Sequence, residues 1–209
     1  IAVEKDEHFL PLLKKVKKSH PNLEIVMDDI LRVAASDLVS GSEYKVVANI
    51  PYYLTGKLIP LFLESVHKPK SLTLLIQKEV GENMVATPGS MSLVSVATQL
   101  YAKPKIITHV PAKDFFPAPK VESVVLHLDV YKKSPYNISD YQSFFKVVKA
   151  CFLGKRKQLH NTLTNNLKLE KEKVLEILSA VQLSPEVRPQ ELSIEQWVSL
   201  VEEIKKVQN

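Results

Sequence analysis

The sequence predicts an α/β domain with a mostly parallel sheet, followed by a small all-helical domain. Over the first two-thirds of the 209 residues, short apolar segments rich in β-branched residues alternate with segments of helical spacing. After a polar, proline-containing segment at 132–140 the strand pattern disappears. We therefore expect the α/β domain to occupy residues 1–133 and the helical domain residues 139–209.

The elements of the first domain follow from the spacing of its apolar residues. Strands are predicted at 1–3, 24–27, 45–50, 71–76, 106–110 and 121–130, and helices at 8–18, 56–66, 77–86 and 93–101. Pro60 is tolerated in its helix only near the first turn. The last two strands have no helix between them, so we expect an antiparallel pair at one edge of the sheet.

Residues 139–209 contain four predicted helices and no strand. The helices are expected at 141–153, 156–167, 171–181 and 194–207. Two capping-box patterns open the first and the last of them, namely Ser139 with Gln142 and Ser193 with Gln196.

The composition argues against several classes of protein. Hydrophobic residues make up 45% of the chain, yet no apolar run approaches the ~18 residues that cross a membrane. There is no pattern of a secretory signal, and Cys151 is the single cysteine, which fits the reducing cytoplasm. The six histidines lack metal-ligand spacing, so we expect no metal site.

The positive charge is concentrated in one part of the chain. The net charge is +5, but the segment 141–169 has no Asp or Glu and carries six cations: Lys146, Lys149, Lys155, Arg156, Lys157 and Lys168. Such a segment is typical of a protein that binds a polyanion. The alternative is an ordinary solvated helix face.

Polar groups follow three of the predicted strands, where ligands bind in open parallel sheets. Glu4 and Asp29 follow the first two strands. An acid in such a place can bind ribose hydroxyls, as at Glu4, or an adenine amino group, as at Asp29. The alternative is that each is an ordinary helix N-cap or turn residue. After the third strand, the Asn49 amide oxygen and the Ile50 carbonyl, held in direction by Pro51, are two acceptors for an exocyclic amino group. Tyr52 offers a stacking face, so the stretch suits an extruded base bearing an amino group.

Six ordered segments resemble the ribosomal RNA adenine N6-dimethyltransferase family of the KsgA/RsmA type. They are V-E-K-D at 3–6, D-D-I-L at 28–31, N-I-P-Y at 49–52, L-I-Q-K-E-V at 75–80, F-F-P-A-P-K-V-E-S at 115–123 and F-F-K-V-V-K-A-C-F-L-G-K-R-K-Q-L-H-N-T-L at 144–163. The resemblance runs nearly from end to end and implies a Rossmann-like methyltransferase sheet.

The resemblance also implies roles for particular residues. The cofactor would be S-adenosylmethionine, with Glu4 on its ribose, and Asp29 and Ile30 on its adenine; Asn49 belongs both to the cofactor site and to the catalytic site. The catalytic group is Asn49, Ile50, Pro51, Tyr52 and Phe115, in which the two aromatic rings enclose the flipped adenine. The RNA would lie on Lys149, Lys155, Arg156 and Lys157.

The implied partner is ribosomal RNA in a small-subunit precursor, bound by a monomeric protein that contributes to ribosome maturation. Two alternatives are a non-catalytic rRNA-binding assembly factor and a large-subunit rRNA adenine dimethyltransferase that confers macrolide resistance. The family's glycine-rich cofactor loop has no counterpart among the five glycines. We therefore expect an N-terminally truncated domain, in which the strands ending at Glu4 and Asn49 lack the neighbour between them.

Overall fold

The computed structural model describes residues 1–39, 41 and 43–208, the last of these without its side chain. The strands are β1 (Ala2–Glu4), β2 (Ile25–Met27), β3 (Lys45–Asn49), β4 (Ser71–Gln77), β5 (Ala102–Val110) and β6 (Ser123–Val130). The helices are α1 (Leu10–Ser19), α2 (Ala35–Val39), α3 (Thr55–Leu63), α4 (Lys78–Met84), α5 (Leu93–Gln99), α6 (Tyr141–Phe152), α7 (Leu159–Leu167), α8 (Lys171–Ala180) and α9 (Ile194–Gln208).

The strands form two sheets. The larger one has the order β3-β4-β6-β5, with β3 parallel to β4 and β6 antiparallel to both of its neighbours. The smaller one consists of the parallel strands β1 and β2. The predicted antiparallel pair at one edge is confirmed, because β5 is the last strand and pairs with β6. The expectation of a mostly parallel sheet was wrong for the larger sheet as described, because β6 is inserted antiparallel beside β4 and two of the three ladders are antiparallel.

One face of the larger sheet packs against α3 and forms the core of this part of the chain. The side chains of β4 and β6 alternate, and those of Leu72, Leu74, Ile76, Val124, Leu126 and Leu128 are fully buried. They pack with the apolar face of α3, which contributes Leu58, Ile59 and Phe62. The position of both central strands is thus set by buried leucine, isoleucine and valine side chains.

The predicted start of β5 and the predicted place of Pro60 in its helix were wrong. β5 begins at Ala102 rather than at residue 106, and it includes Pro104. An edge strand tolerates a proline because one row of its backbone groups faces away from the sheet. Pro60 lies inside α3, beyond the first turn, and is exposed while Ile59 and Phe62 on the apolar face are buried. Burial of that face stabilises the helix despite the lost hydrogen bond.

A second core joins the helices of the C-terminal part. Its fully buried members include Phe144, Val148, Cys151, Leu163 and Trp197. It also takes in Met91, Val96 and Leu100 from α5 and its flanks. The helical core therefore extends across the segment 132–140 into the part of the chain that carries the sheet.

The two capping predictions had different outcomes. α6 is capped by Asp140, whose Oδ1 accepts from the Ser143 amide at 3.1 Å, so the expected cap at Ser139 was wrong by one residue. At α9 the capping box is confirmed, since the Ser193 amide donates to Gln196 Oε1 at 2.9 Å and the Gln196 amide to Ser193 Oγ at 3.3 Å. α7 begins at Leu159 rather than at residue 156.

Two searches of the described residues gave negative results. No helix there is long and apolar enough to cross a bilayer. No group of three or more histidine, cysteine, aspartate or glutamate residues is arranged to hold a metal ion in that same part of the chain.

We predict that Cys151 is unreactive in the folded protein. Its thiol is fully buried, and burial raises its pKa from about 9.0 to about 12. Because the unfolded thiol ionises at lower pH, the stability that it gives is present below pH 9 and is lost as the pH rises toward 12. Native protein should react with 5,5′-dithiobis(2-nitrobenzoate) at pH 8 at least about 100-fold more slowly than urea-unfolded protein. Equal rates would contradict the burial.

Candidate functional site

A cavity of about 1070 Å³ lies between the carboxyl ends of β1 and β2 and the open edge of β3. Residues of both sheets line it, among them Glu4, Asp29, Ile30, Asn49, Ile50 and Pro51. In the described structure β1 pairs with β2 and β3 pairs with β4, and no ladder joins β1 to β3. The cavity thus occupies the space between the two sheets.

The carboxylate of Glu4 is oriented by the backbone that follows it. Its Oε1 accepts from the amides of Lys5 at 2.7 Å and Asp6 at 2.8 Å. Among the described residues, no group donates a hydrogen bond to its Oε2. Glu4 therefore presents one fixed, unpaired acceptor oxygen at the end of β1.

Asp29 lies beside Glu4, at the end of the neighbouring strand. Its Oδ1 accepts from the Leu31 amide at 3.0 Å, and its Oδ2 lies 3.0 Å from the Lys5 Nζ. The Leu31 amide, and after it the Lys5 ammonium, lower the pKa of the Asp29 carboxyl. Asp29 is therefore an ionised acceptor at neutral pH. Lys5 was not among the predicted site residues, although it stands next to Glu4 in the sequence.

β3 ends in two acceptors that have no partner in the described structure. The Ile50 amide donates to the Leu75 carbonyl at 3.3 Å, which ties the end of β3 to β4. Pro51, at φ −53° and ψ 129°, then turns the chain into a 3₁₀ turn at Tyr52–Leu54. The Asn49 side chain is exposed, and within the described residues neither its amide group nor the Ile50 carbonyl makes a hydrogen bond. Both groups remain available to a ligand in the cavity.

The two tyrosines after Pro51 differ in their surroundings. Tyr52 is half-buried, and its Oη lies 2.8 Å from Ser123 Oγ at the start of β6. Tyr53 is 81% exposed and lines the cavity, whereas Tyr52 is not among the lining residues. Sequence reasoning included Tyr52 but missed both Tyr53 and Ser123.

The loop between β5 and β6 carries the predicted site residue Phe115 and the adjacent Phe116. Phe115 is half-buried and lies outside the lining of the cavity, while Phe116 is fully exposed and precedes a cis bond to Pro117. The far end of the loop is fixed to the start of α4. Lys78 Nζ lies 2.7 Å from Glu122 Oε2, and the Lys78 amide donates to the Glu122 carbonyl at 3.0 Å.

The predicted RNA-binding residues lie at a separate place, at the end of α6 and in the turn that follows. Lys149 and Lys155 border a groove of about 560 Å³ between α6 and the start of α5. Arg156 and Lys157 lie in the same turn, and all four side chains are exposed. None of the four forms an ion pair with another described residue, so the positive charge of this surface is not neutralised.

Glu4, Asp29, Ile30, Asn49, Ile50 and Pro51 thus meet in one cavity, which holds ionised and neutral acceptors at three neighbouring strand ends. The profile of the ribosomal RNA adenine dimethylase family matches residues 1–206. The chain belongs to this family.

Relatives in the ribosomal RNA adenine dimethylase family cover most of the chain. A ribosomal RNA small subunit methyltransferase A from Alkaliphilus oremlandii is 39% identical over 213 residues, which is 99% of this chain and 74% of that relative. The protein of the same name from Clostridioides difficile is 36% identical and covers 94% of this chain, which spans 70% of it.

Two solved structures share the Rossmann-like fold. The match to a dimethyladenosine transferase from Plasmodium falciparum covers 98% of this chain and 81% of that protein, with a TM-score of 0.83 and 23% identity. The match to the 23S rRNA methyltransferase ErmE covers 97% of this chain and 80% of ErmE, with a TM-score of 0.76 and 22% identity. At these identities the likeness supports the predicted fold class.

We predict that Lys5 helps to keep Asp29 ionised. In Lys5→Met, the Asp29 carboxyl keeps the Leu31 amide but loses the ammonium, so its pKa should rise toward its ordinary value of 3.8. The stability that Asp29 gives is present at neutral pH and is lost as the pH falls through its lowered pKa, so the loss should begin at higher pH in the variant. A ¹³C NMR titration of the carboxyl measures this pKa.

The control is Lys14→Met, which removes an exposed lysine of α1 that has no ion pair in the described structure. It should leave the titration of Asp29 unchanged. An identical Asp29 pKa in Lys5→Met and the parent protein would show that the ion pair has no effect.

Proposed function

We propose that this protein transfers methyl groups from S-adenosylmethionine to N6 of adenine in small-subunit ribosomal RNA. The observation that carries this proposal is the pair of unpartnered acceptors at Asn49 and Ile50, beside a cavity that also contains Glu4 and Asp29. Membership of the ribosomal RNA adenine dimethylase family supports the reaction, and the names of the relatives support the small subunit.

The cavity residues fit the proposed cofactor. The unpaired Oε2 of Glu4 would accept from a ribose hydroxyl, and the ionised Asp29 from the adenine amino group, with Ile30 against the adenine ring. Asn49 lies at the boundary between this cofactor site and the methyl acceptor. When bound, the cofactor supplies a methyl group on a sulfonium centre.

The remaining chemistry belongs to the residues after β3. Adenine N6 is a poor nucleophile because its lone pair is shared with the ring. Hydrogen bonds from its amino group to Asn49 Oδ1 and to the Ile50 carbonyl would favour a pyramidal nitrogen and free that pair. Orientation and these two acceptors then account for catalysis without a strong general base. The proton of N6 would pass to water after the transfer.

The aromatic residues Tyr52 and Phe115 would hold the extruded adenine by stacking on its two faces. Base stacking on an aromatic side chain contributes about 1–3 kcal/mol per base. Both residues are half-buried; Tyr52 follows β3 and Phe115 lies in the loop after β5, the strand at the opposite edge of the larger sheet. Tyr52 would offer its ring from the position seen here, and Phe115 would close on the second face when the base enters.

The basic surface formed by Lys149, Lys155, Arg156 and Lys157 would contact RNA phosphates. Its four exposed cations, in a segment without acids, support this role. We further propose that 1–133 and 139–209 act as a methyltransferase domain and an RNA-binding domain, in a cytoplasmic monomer that acts on small-subunit precursors. The large-subunit alternative has less support, because the relatives reported above carry the small-subunit name.

In the full-length protein, Asn49→Ala should lower kcat for methylation of small ribosomal subunits by about 100-fold or more, because one of the two acceptors is lost. The Kd for RNA should stay within about 2-fold, since the phosphate contacts lie elsewhere. Tritium transfer from labelled S-adenosylmethionine and filter binding measure the two quantities. Asn137→Ala, in the exposed segment after β6, is the control and should match the parent protein.

An equal loss of methylation and RNA affinity in Asn49→Ala would contradict the assigned role. Full RNA binding by a parent protein that transfers no methyl group would favour the non-catalytic assembly factor.

Neutralising Lys155, Arg156 and Lys157 to Gln should weaken RNA binding and flatten its salt dependence. Each lost phosphate contact removes about 0.7–0.9 from the slope of log K against log salt concentration. The matched control neutralises Lys14, Lys15 and Lys17, three exposed lysines of α1, and changes the net charge equally. An unchanged slope in the first variant, or an equal change in both, would indicate that the RNA lies elsewhere.

A further inference from the structure

One hydrogen bond joins the catalytic stretch to a strand far away in the sequence. Tyr52 Oη and Ser123 Oγ lie 2.8 Å apart although 71 positions separate the residues. Tyr52 follows β3 and Ser123 begins β6, and β4 lies between these strands in the sheet. The tyrosine side chain therefore reaches across the end of β4.

Ser123 is a fixed anchor for this bond. It is fully buried, and it pairs with Gln77 of β4 on one side and with Val110 of β5 on the other. The residue before it, Glu122, is held to Lys78 by an ion pair of 2.7 Å. Because the backbone of Ser123 is paired with strands on both sides, its hydroxyl is held in a fixed position.

The bond constrains the ring of Tyr52 without covering it. A phenol oxygen lies on the long axis of the ring, so a hydrogen bond to it fixes where that axis points and does not itself cover either face of the ring. The adjacent Tyr53 is a useful contrast, since it is 81% exposed and its hydroxyl has no hydrogen bond with the described residues. Only the first of the two tyrosines is held in this way within the described structure.

We propose that Ser123 is a positioning residue for methyl transfer: through the hydroxyl of Tyr52 it holds the long axis of the stacking ring in the direction that brings adenine N6 to Asn49 and the Ile50 carbonyl. This inference rests on the proposed function. It assigns a role in the reaction to the last residue of the segment F-F-P-A-P-K-V-E-S, which until this point had none.

A purely structural role for the bond would have different consequences. If the bond only stabilised the fold, its loss would lower the melting temperature and the folded fraction, and the folded molecules would work normally. If Ser123 positions Tyr52, the folded molecules themselves turn over more slowly while they bind RNA as before. The separation of kcat from KM, measured per folded molecule, distinguishes the two roles.

The test is a double-mutant cycle in the full-length protein with Ser123→Ala, Tyr52→Phe and the double variant. Substrates are unmethylated small ribosomal subunits and labelled S-adenosylmethionine, and the folded fraction is taken from thermal unfolding. Each single variant should lower kcat about 3- to 10-fold with KM for the subunits unchanged, and the double variant should lose no more than either. Ser123→Thr, which keeps a hydroxyl, should recover most of the loss.

Ser71→Ala is the matched control, because Ser71 is a buried serine at the opposite end of β4. It should leave kcat unchanged. Parental kcat per folded molecule in Ser123→Ala, or additive losses in the double variant, would overturn the positioning role. A parent protein that does not methylate the subunits would instead overturn the proposed function.

A spectroscopic readout tests the stacking directly. An rRNA fragment carries 2-aminopurine in place of the target adenine, and stacking of this base on Tyr52 quenches its fluorescence. Bound to Ser123→Ala or Tyr52→Phe, the probe should be brighter than when it is bound to the parent protein or to Ser71→Ala. Equal fluorescence in all four complexes would overturn the proposal.

Discussion

The position of β4 in the larger sheet determines the geometry of the candidate site. β4 is hydrogen-bonded on both sides, and its Leu75 pairs with Asn49 of β3 and with Val125 of β6. The residues of β4 that point to the opposite face from Leu75, namely Leu72, Leu74 and Ile76, are fully buried. Because the Leu75 carbonyl also accepts from the Ile50 amide, the two unpaired acceptors of the site are placed by this one strand. Ser123, the anchor of Tyr52, is placed by the opposite edge of the same strand.

The site is divided between two sheets that are not joined by a ladder in the described structure. The acids Glu4 and Asp29 belong to one sheet, and Asn49 with the Ile50 carbonyl belongs to the other. Their charges differ: Asp29 is ionised, with Lys5 offsetting part of its negative charge, and Glu4 is oriented by amides, whereas the acceptors after β3 are neutral. Neutral acceptors would orient the amino group without the strong attraction that a carboxylate at the same place would exert on the positively charged sulfonium group.

The helical core connects the proposed RNA surface to the sheet. Leu100 and Val96 of α5 are buried with the residues of α6, the helix that carries Lys149. Next to them, the rings of Tyr101 and Tyr141 stack at 5.5 Å, with burial raising the pKa of the Tyr101 hydroxyl. This packing spans the proposed boundary at 133–139. Phosphate contacts at the end of α6 would therefore orient the RNA relative to α5, the helix that directly precedes β5 of the larger sheet.

Local patterns were sufficient for most of the elements, though not for α2 at Ala35–Val39, and for the part of the site at the strand ends, where the ligand-binding residues stand in the adjacent sequence. Glu4, Asp29 and Asn49 could be predicted in this way, and the structure brings them to one cavity. The start of β5 and the place of Pro60 in α3 were predicted wrongly. Pro104 is accommodated because β5 is an edge strand, and Pro60 because the opposite face of its helix is buried, and both conditions depend on tertiary structure. The bond from Tyr52 to Ser123 has no local signature at all. It exists because β6 enters the sheet antiparallel beside β4, so that its first residue meets the turn that follows β3. A constraint on the proposed stacking ring therefore arises from the order of strands in the sheet, and it becomes visible only when that order is known.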